Sequence, residues 1–176
     1  DHRHPLWDEI RAVIEDVRPD VVGVTVQSSL LPSAHMVARL AREAGVRNVI
    51  AGGPHATMRP ADLRDEFDLV VQGEAERLHS MRLCKGQIRG QRIAQLDGIR
   101  PNREALYGLG DYRPDDLAVM LTSRGRPNAC SLCCAPSLWG RRVVYRSVSD
   151  VLEEVDEIVQ RYAPDTIAFW DDTMTL

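Results

Sequence analysis

The cysteines of this 176-residue chain are the residues whose type and spacing most clearly indicate chemistry. Three of the four lie within five residues, at Cys130, Cys133 and Cys134, shortly after the apolar run 118–121. Thiolates this close in sequence can converge on one metal centre. Cys130 and Cys133 also fit a thioredoxin-like dithiol or the remnant of a lost cluster site. They fit half of a zinc knuckle as well, although no second pair of cysteines follows. The residues alone leave these alternatives open.

The fourth cysteine, Cys84, is isolated in the sequence. We expect an incidental, partly buried thiol there, with a role as a distant replacement ligand as the alternative.

Small and polar residues follow three predicted strands in the first half of the chain. The strands are Val21 to Val26, Asn48 to Ala51 and Asp68 to Val71, and the first is a β-branched run typical of a strand buried on both faces. The residues after the strands are Gln27, Ser28, Ser29, Gly52, Gly53, Pro54, His55, Gln72, Gly73 and Glu74. Ligands of open α/β sheets sit outside the carboxyl ends of strands, and glycine allows close approach to the backbone. The alternative is that these are ordinary turns and that His55 only makes hydrogen bonds within its loop.

Helical segments separate the predicted strands. Apolar spacing predicts helices at Leu6 to Val17, Met36 to Ala44 and Pro60 to Glu66. Strands that alternate with helices predict a parallel sheet with right-handed crossovers.

The second half contains a shorter version of the same pattern. We predict a strand at Val119 to Leu121, a helix capped by Ser147 or Ser149, and a strand at Thr166 to Trp170. Asp171 and Asp172 follow the last strand, and two carboxylates there suit an ammonium partner, or they cap a further helix. Glycines interrupt residues 77–113, which indicates a linker with one short helix near Asn102 to Tyr107.

The overall composition indicates a soluble globular protein. Hydrophobic residues make up 44%, charged residues 27%, and the net charge is −4. This charge gives no reason to expect a nucleic acid or an anionic membrane as partner. No bilayer-spanning apolar run and no signal peptide is found, so we expect the cytoplasm, and the first residue, Asp1, predicts a processed or excerpted chain.

Three blocks of the first half resemble a known family. They are 21–29, 51–57 and 70–76, and they resemble the cobalamin-binding domain of cobalamin-dependent radical S-adenosylmethionine enzymes in order and spacing. The resemblance implies a Rossmann-like domain that is incomplete, because the family has a strand–helix–strand before this point. It also implies cobalamin neighbours at Gln27, Ser28, Ser29, Gly52, Gly53, His55, Gly73 and Glu74.

The cysteine stretch resembles the cluster loop of the same family. That loop reads Cys-x3-Cys-x2-Cys, and its three thiolates leave one iron of a [4Fe–4S] cluster open for S-adenosylmethionine. Cys130 and Cys133 match its second and third cysteines, Arg126 stands in the place of the first, and Cys134 is an extra candidate metal ligand. The resemblance implies S-adenosylmethionine contacts at Leu132, Asp171 and Asp172. A guanidinium cannot ligate iron, so we predict that this loop binds a cluster poorly or not at all.

Together, these observations predict an α/β chain with an incomplete Rossmann-like domain (1–76), a linker (77–117) and the start of a partial (β/α) barrel of radical S-adenosylmethionine type (118–176). The resemblance implies that this chain is an interior fragment or a degenerate member of the family. Other segments or chains would complete its fold. The implied cofactors are cobalamin, a [4Fe–4S] cluster and S-adenosylmethionine. The implied reaction is radical methyl transfer, cyclisation or rearrangement at an unactivated carbon of a small-molecule substrate. The alternative is a non-catalytic cobalamin-binding or scaffold module without a cluster.

Overall fold

A computed structural model describes residues 4–76, 78, 85–107, 110–128 and 130–174. The chain divides into two compact units between Arg92 and Ile93, inside the segment predicted as a linker. Cys84 lies outside the described residues. Among the described residues, no helix has the length and apolar character needed to cross a lipid bilayer.

The described part of the first unit is a four-stranded parallel sheet with helices between its strands. The strands, in spatial as well as chain order, are β1 (Val21–Thr25), β2 (Asn48–Gly52), β3 (Leu69–Gln72) and β4 (Gly86–Arg89). The helices are α1 (Leu6–Val17), α2 (Leu31–Glu43) and α3 (Gly53–Met58), with 3-10 turns at Ser28–Leu30 and Pro60–Leu63. The predicted α/β class with a parallel sheet is therefore confirmed.

Two helical segments differ from the prediction. Helix α2 begins at Leu31 rather than Met36, since Pro32 occupies its first turn, where the missing N–H of proline is not needed. Helix α3 occupies part of the predicted glycine loop, with Pro54 again in the first turn. The helix predicted at Pro60 to Glu66 is a 3-10 turn, Pro60–Leu63.

The prediction that the first strand is buried on both faces is wrong. Strand β1 alternates between exposed and half-buried residues, and Val21 is 41% exposed. In the described residues β1 pairs only with β2, so it is an edge strand, whereas Val49, Ala51 and Val70 on β2 and β3 are almost fully buried.

Strand β4 lies in the stretch predicted as a linker. Its residues pair in parallel register with β3, Leu69 opposite Gly86 and Gln72 opposite Arg89. All of its residues are exposed, so the strand has no apolar pattern that could have revealed it.

The second unit is built around the long helix α7 (Val148–Tyr162). Before it come α4 (Arg103–Tyr107), α5 (Pro114–Leu117), β5 (Val119–Met120), β6 (Ser123–Arg124), α6 (Ala135–Trp139) and β7 (Val144–Tyr145), and after it β8 (Ala168–Phe169). Strands β5 and β8 form a parallel pair, and β6 and β7 an antiparallel pair. The Ser147 hydroxyl caps α7 by accepting a hydrogen bond from Asp150 N at 3.2 Å. The described core of this unit contains Leu117, Ala118, Met120, Ile158 and Tyr162.

Candidate functional site

Hydrogen bonds join the loops that follow β1 and β2. The Ser28 hydroxyl and His55 Nδ1 are 2.9 Å apart, and His55 N donates to Val26 O at 2.9 Å. Val26 N in turn donates to Gly52 O at 2.8 Å. These bonds place Ser28 directly beside the first turn of α3.

A second set of bonds joins the loops after β2 and β3. The Thr57 hydroxyl donates to Gly53 O at 2.9 Å within α3, and Gly73 N donates to the Thr57 oxygen at 2.9 Å. Helix α3 therefore ties together the three loops in which the sequence predicted cobalamin neighbours.

His55 is a buried member of this arrangement. It is 4% exposed, and its Nε2 lies 3.4 Å from Asp62 Oδ2. The side-chain hydrogen bond from Arg59 keeps the pKa of Asp62 below its usual value, with a smaller contribution from His55 in the same direction. His55 thus holds two loops together, and its predicted contact with cobalamin stays a prediction.

The glycines at the ends of β2 and β3 have different roles. Gly53 has φ +90°, and a Cβ there would lie 2.9 Å from Thr25 Cγ2 and 3.2 Å from Val26 N, so packing within the chain requires glycine. Gly73 has φ +72°. Gly52 is extended, with φ −142°, and a Cβ there would meet no atom within 4 Å.

The space beside Gly52 makes this edge of the sheet suitable for a flat ligand. The adjacent loop after β1 presents Gln27, Ser28 and Ser29, which are exposed and polar, whereas Glu74 after β3 is buried. Exposed hydrogen-bonding groups around an accessible backbone fit the large polar periphery of a corrin, so the residues present fit cobalamin.

The cysteine segment of the second unit forms a tight turn followed by a helix. Cys133 N donates to Cys130 O at 3.1 Å, and Cys134 O accepts from Ser137 N at 2.9 Å at the start of α6. Cys130 and Cys134 are exposed, Cys133 is half-buried, and Leu132 is fully exposed. The contact of Leu132 with S-adenosylmethionine that the resemblance implies stays a prediction.

The donor set of this segment does not fit a [4Fe–4S] cluster. In the resemblance, Arg126 occupies the place of the first thiolate. Its backbone N–H donates to Gly140 O at 3.5 Å, and the Arg141 guanidinium donates to Pro127 O at 3.4 Å. Among the residues that the structure describes, no three His, Cys, Asp or Glu side chains are grouped as metal ligands would be. The metal role of Cys130, Cys133 and Cys134 therefore stays a prediction.

The two aspartates after β8 lie in different surroundings. Asp171 accepts hydrogen bonds from Thr122 N at 3.0 Å, from Thr122 Oγ1 at 2.9 Å and from the Ser123 hydroxyl, so it holds the start of the cysteine segment. Asp172 is exposed and lines an open cavity of about 550 Å³, together with Trp139, Trp170 and Arg124. The Arg124 guanidinium lies over the Trp139 ring, 5.2 Å from its centroid.

A buried ion network, part of which lines this cavity, was not predicted. Glu154 is 1% exposed and pairs with Arg103 at 2.6 Å and with Arg146, which also donates to Asp150 Oδ2 at 2.5 Å. Arg100 donates to Asp150 Oδ1 at 2.9 Å. The sequence signal that could have revealed this buried charge is the position of Glu154 on the apolar face of α7, three residues after Val151 and four before Ile158.

This network lowers the pKa of Asp150. Burial alone would raise it, but hydrogen bonds from Arg100, Arg146 and Gly98 outweigh burial and lower the pKa from 3.8 to about 2. The unfolded chain therefore binds this proton more readily than the folded chain. The stabilisation from Asp150 is fully present above about pH 4 and is lost as the pH falls towards about 2.

We expect Asp150→Asn to flatten the dependence of unfolding free energy on pH between about 4 and 2. Urea unfolding at several pH values measures this dependence, with Trp139 and Trp170 fluorescence as the signal. The background is Trp7→Phe, which removes the first unit's tryptophan. Glu153→Gln is the control, since the Glu153 side chain is 71% exposed, and it should keep the slope. An unchanged slope in Asp150→Asn would contradict the assignment.

Comparisons with known proteins agree with the fold and with the type of the first domain. Residues 1–79 match the B12 binding domain. An uncharacterized methyltransferase of Pyrococcus horikoshii is 30% identical over 97% of this chain and 43% of its own length. The anaerobic magnesium-protoporphyrin IX monomethyl ester cyclase of Rubrivivax gelatinosus is 25% identical over 88% of this chain and 34% of its own length.

A solved structure has the same fold. The radical S-adenosylmethionine methyltransferase TsrM of Kitasatospora setae, solved with tryptophan substrate and an S-adenosylmethionine analogue, matches with a TM-score of 0.65 and 16% identity, over 97% of this chain and 40% of that one. The chain thus spans less than half the length of these relatives.

The fold and the B12-binding match define an α/β protein with a Rossmann-like, B12-binding first domain. The comparisons support the cobalamin-binding radical S-adenosylmethionine family that the sequence predicted.

Proposed function

We propose that this chain binds cobalamin at the carboxyl edge of the first sheet, as part of a protein that transfers a methyl group or forms a ring on a small-molecule substrate. The observation that carries the proposal is the joining of three loops by the Ser28–His55 and Thr57–Gly73 bonds, with open space beside Gly52. The relatives named as methyltransferase and cyclase support the reaction class.

Each part of this edge has its own task. The exposed side chains of Gln27, Ser28 and Ser29 would donate to the polar periphery of the corrin, and Gly52 would let the ring approach the backbone. His55 and Glu74 are both buried, and His55 would hold the loop after β1 in place through its bond to Ser28. When bound, cobalamin supplies a centre that accepts and donates methyl groups.

For S-adenosylmethionine, we propose Asp172 as the partner of the ammonium group, because it is the exposed carboxylate at the cavity. Asp171 would act indirectly, since its oxygens accept hydrogen bonds from Thr122 and Ser123. Leu132 would be the residue beside the adenine.

A non-catalytic cobalamin-binding module is the second candidate function. Arg126 in the place of the first cluster ligand favours it, because loss of a ligand from the metal's own coordination sphere severely weakens metal binding. Iron and sulfide content after anaerobic reconstitution, measured beside cobalamin affinity, separates the two candidates.

We expect hydroxocobalamin to bind this chain with a change in its visible spectrum, and Gly52→Val to weaken binding at least about tenfold, which is about 1.4 kcal/mol. The added side chain would occupy the open space without strain, since Gly52 has an extended backbone. Gly23→Val is the matched control: a Cβ at Gly23, inside β1, also meets nothing within 4 Å. The affinity of this control should not change.

Two outcomes would contradict the proposal. The first is an unchanged spectrum at millimolar hydroxocobalamin while circular dichroism shows a folded chain. The second is equal affinity of the Gly52 and Gly23 variants, which would move the ligand away from this edge.

A further inference from the structure

The misfit between the cysteine segment and a cluster leaves its thiols without an assigned chemistry. What the segment does contain is a single tight turn with a cysteine at each end, closed by the hydrogen bond from Cys133 N to Cys130 O at 3.1 Å. In such a turn the first and fourth Cα atoms lie within about 7 Å of each other. A disulfide joins Cα atoms that are about 4.4 to 6.8 Å apart. The turn therefore brings Cys130 and Cys133 into the range of a covalent bond.

The third thiol of the segment is less suited to pair with its neighbour. Adjacent Cα atoms are about 3.8 Å apart, below the usual range for a disulfide, which disfavours a bond between Cys133 and Cys134. The backbone of Cys134 is also held by α6, because its carbonyl accepts from Ser137 N at 2.9 Å and from Leu138 N at 3.2 Å. Cys134 is thus a natural internal control for chemistry at the other two.

The charge around the turn selects a class of reaction partner. Between Thr122 and Arg142 the sequence contains no acidic residue and four basic ones, Arg124, Arg126, Arg141 and Arg142. A basic segment attracts anionic reagents and raises their rate of encounter at low ionic strength. Glutathione disulfide is a small anionic disulfide of this kind.

We infer that Cys130 and Cys133 form a dithiol–disulfide couple that reacts with small anionic disulfides. The exposed Cys130 sulfur attacks one sulfur of the external disulfide, and a mixed disulfide forms as the first thiol leaves. The Cys133 sulfur then attacks Cys130, so the internal S–S bond forms and the second thiol leaves. Two electrons pass from the cysteine pair to the external disulfide, and the two protons go to the released thiols.

The test uses the full 176-residue chain with Cys84→Ser, which leaves three thiols. The protein is equilibrated with glutathione and glutathione disulfide, alkylated and mapped by peptide mass. We expect the alkylated thiols to fall from three to one, with Cys130 and Cys133 linked. Cys134→Ser should keep the link. Cys133→Ser should stop at a mixed disulfide between Cys130 and glutathione, whereas Cys130→Ser, which lacks the attacking sulfur, should form no internal disulfide.

A rate comparison tests the charge argument. At low salt, glutathione disulfide should react at least about tenfold faster than the cationic disulfide cystamine, and added salt should close this gap.

Several outcomes would overturn the inference. They are the absence of an internal disulfide, a link between Cys133 and Cys134 instead, equal rates with both reagents, and stoichiometric cluster uptake by the unmodified chain. Cobalamin affinity should be the same in every cysteine variant, so failure here is distinct from failure of the proposed cobalamin site.

Discussion

Replacement of Arg126 by cysteine is expected to convert a segment that takes up little or no iron into one that binds a [4Fe–4S] cluster. The unmodified segment offers Cys130 and Cys133 in the spacing of the family's loop, and a guanidinium in place of the remaining thiolate. The substitution supplies the third thiolate at that place. Anaerobic reconstitution of both proteins, followed by iron and sulfide analysis and the absorbance of the brown cluster, measures the change.

The matched control is Arg126→Ser, which removes the guanidinium without adding a thiol. It should bind as little iron as the unmodified chain. If it gains a cluster as well, the arginine blocks the site and the missing thiolate is not the cause. A stoichiometric cluster in the unmodified chain would contradict the prediction altogether and indicate Cys134, Cys84 or a non-cysteine group as third ligand.

Glu154→Ala is expected to destabilise the second unit by about 3 to 5 kcal/mol. The change removes the carboxylate that pairs with both Arg103 and Arg146, which are themselves buried. Breaking a buried pair from one side leaves charge without compensation, and this penalty exceeds the value of the pair itself. Urea unfolding followed by Trp139 and Trp170 fluorescence in the Trp7→Phe background reports on this unit.

The neighbouring Glu153→Ala provides the comparison. Its side chain is 71% exposed and its pairing with Arg100, at 3.2 Å, is at the surface, so the loss should stay below about 1 kcal/mol. A cost for Glu154→Ala as small as that of Glu153→Ala would show that the network contributes nothing specific to stability.

The sheet of the first unit was largely predictable because local sequence carries strong signals there. The β-branched run of β1 and the helical spacing of α1 each identify an element without reference to the rest of the chain. Burial was not predictable for β1, since it depends on which strands pair with it. Strand β4 and helix α3 were missed because β4 is exposed throughout and α3 begins with Gly53 and Pro54, which are typical of turns.

The candidate site was predictable as a set of loops but not as an arrangement. The blocks that resemble the family predicted Ser28, His55 and Gly73 as site residues, and the comparisons support that family. The bonds of Ser28 to His55 and of Thr57 to Gly73 depend on long-range packing, which no local pattern encodes. Glu154 was missed as a buried charge because its place in the first turns of α7 also suits the helix dipole.

The antiparallel pairing of β6 with β7 brings together the two ends of the segment that contains the cysteines. Ser123 is opposite Tyr145, Arg124 is opposite Val144, and Arg146 N donates to Thr122 O at 2.9 Å, so residues 125–143 leave and re-enter the core at one point. Changes of sequence are best tolerated in exposed loops. A single codon change within this segment can therefore abolish a metal ligand while the protein continues to fold. The chemistry of the segment can thus change without loss of the strand pairing that holds its two ends.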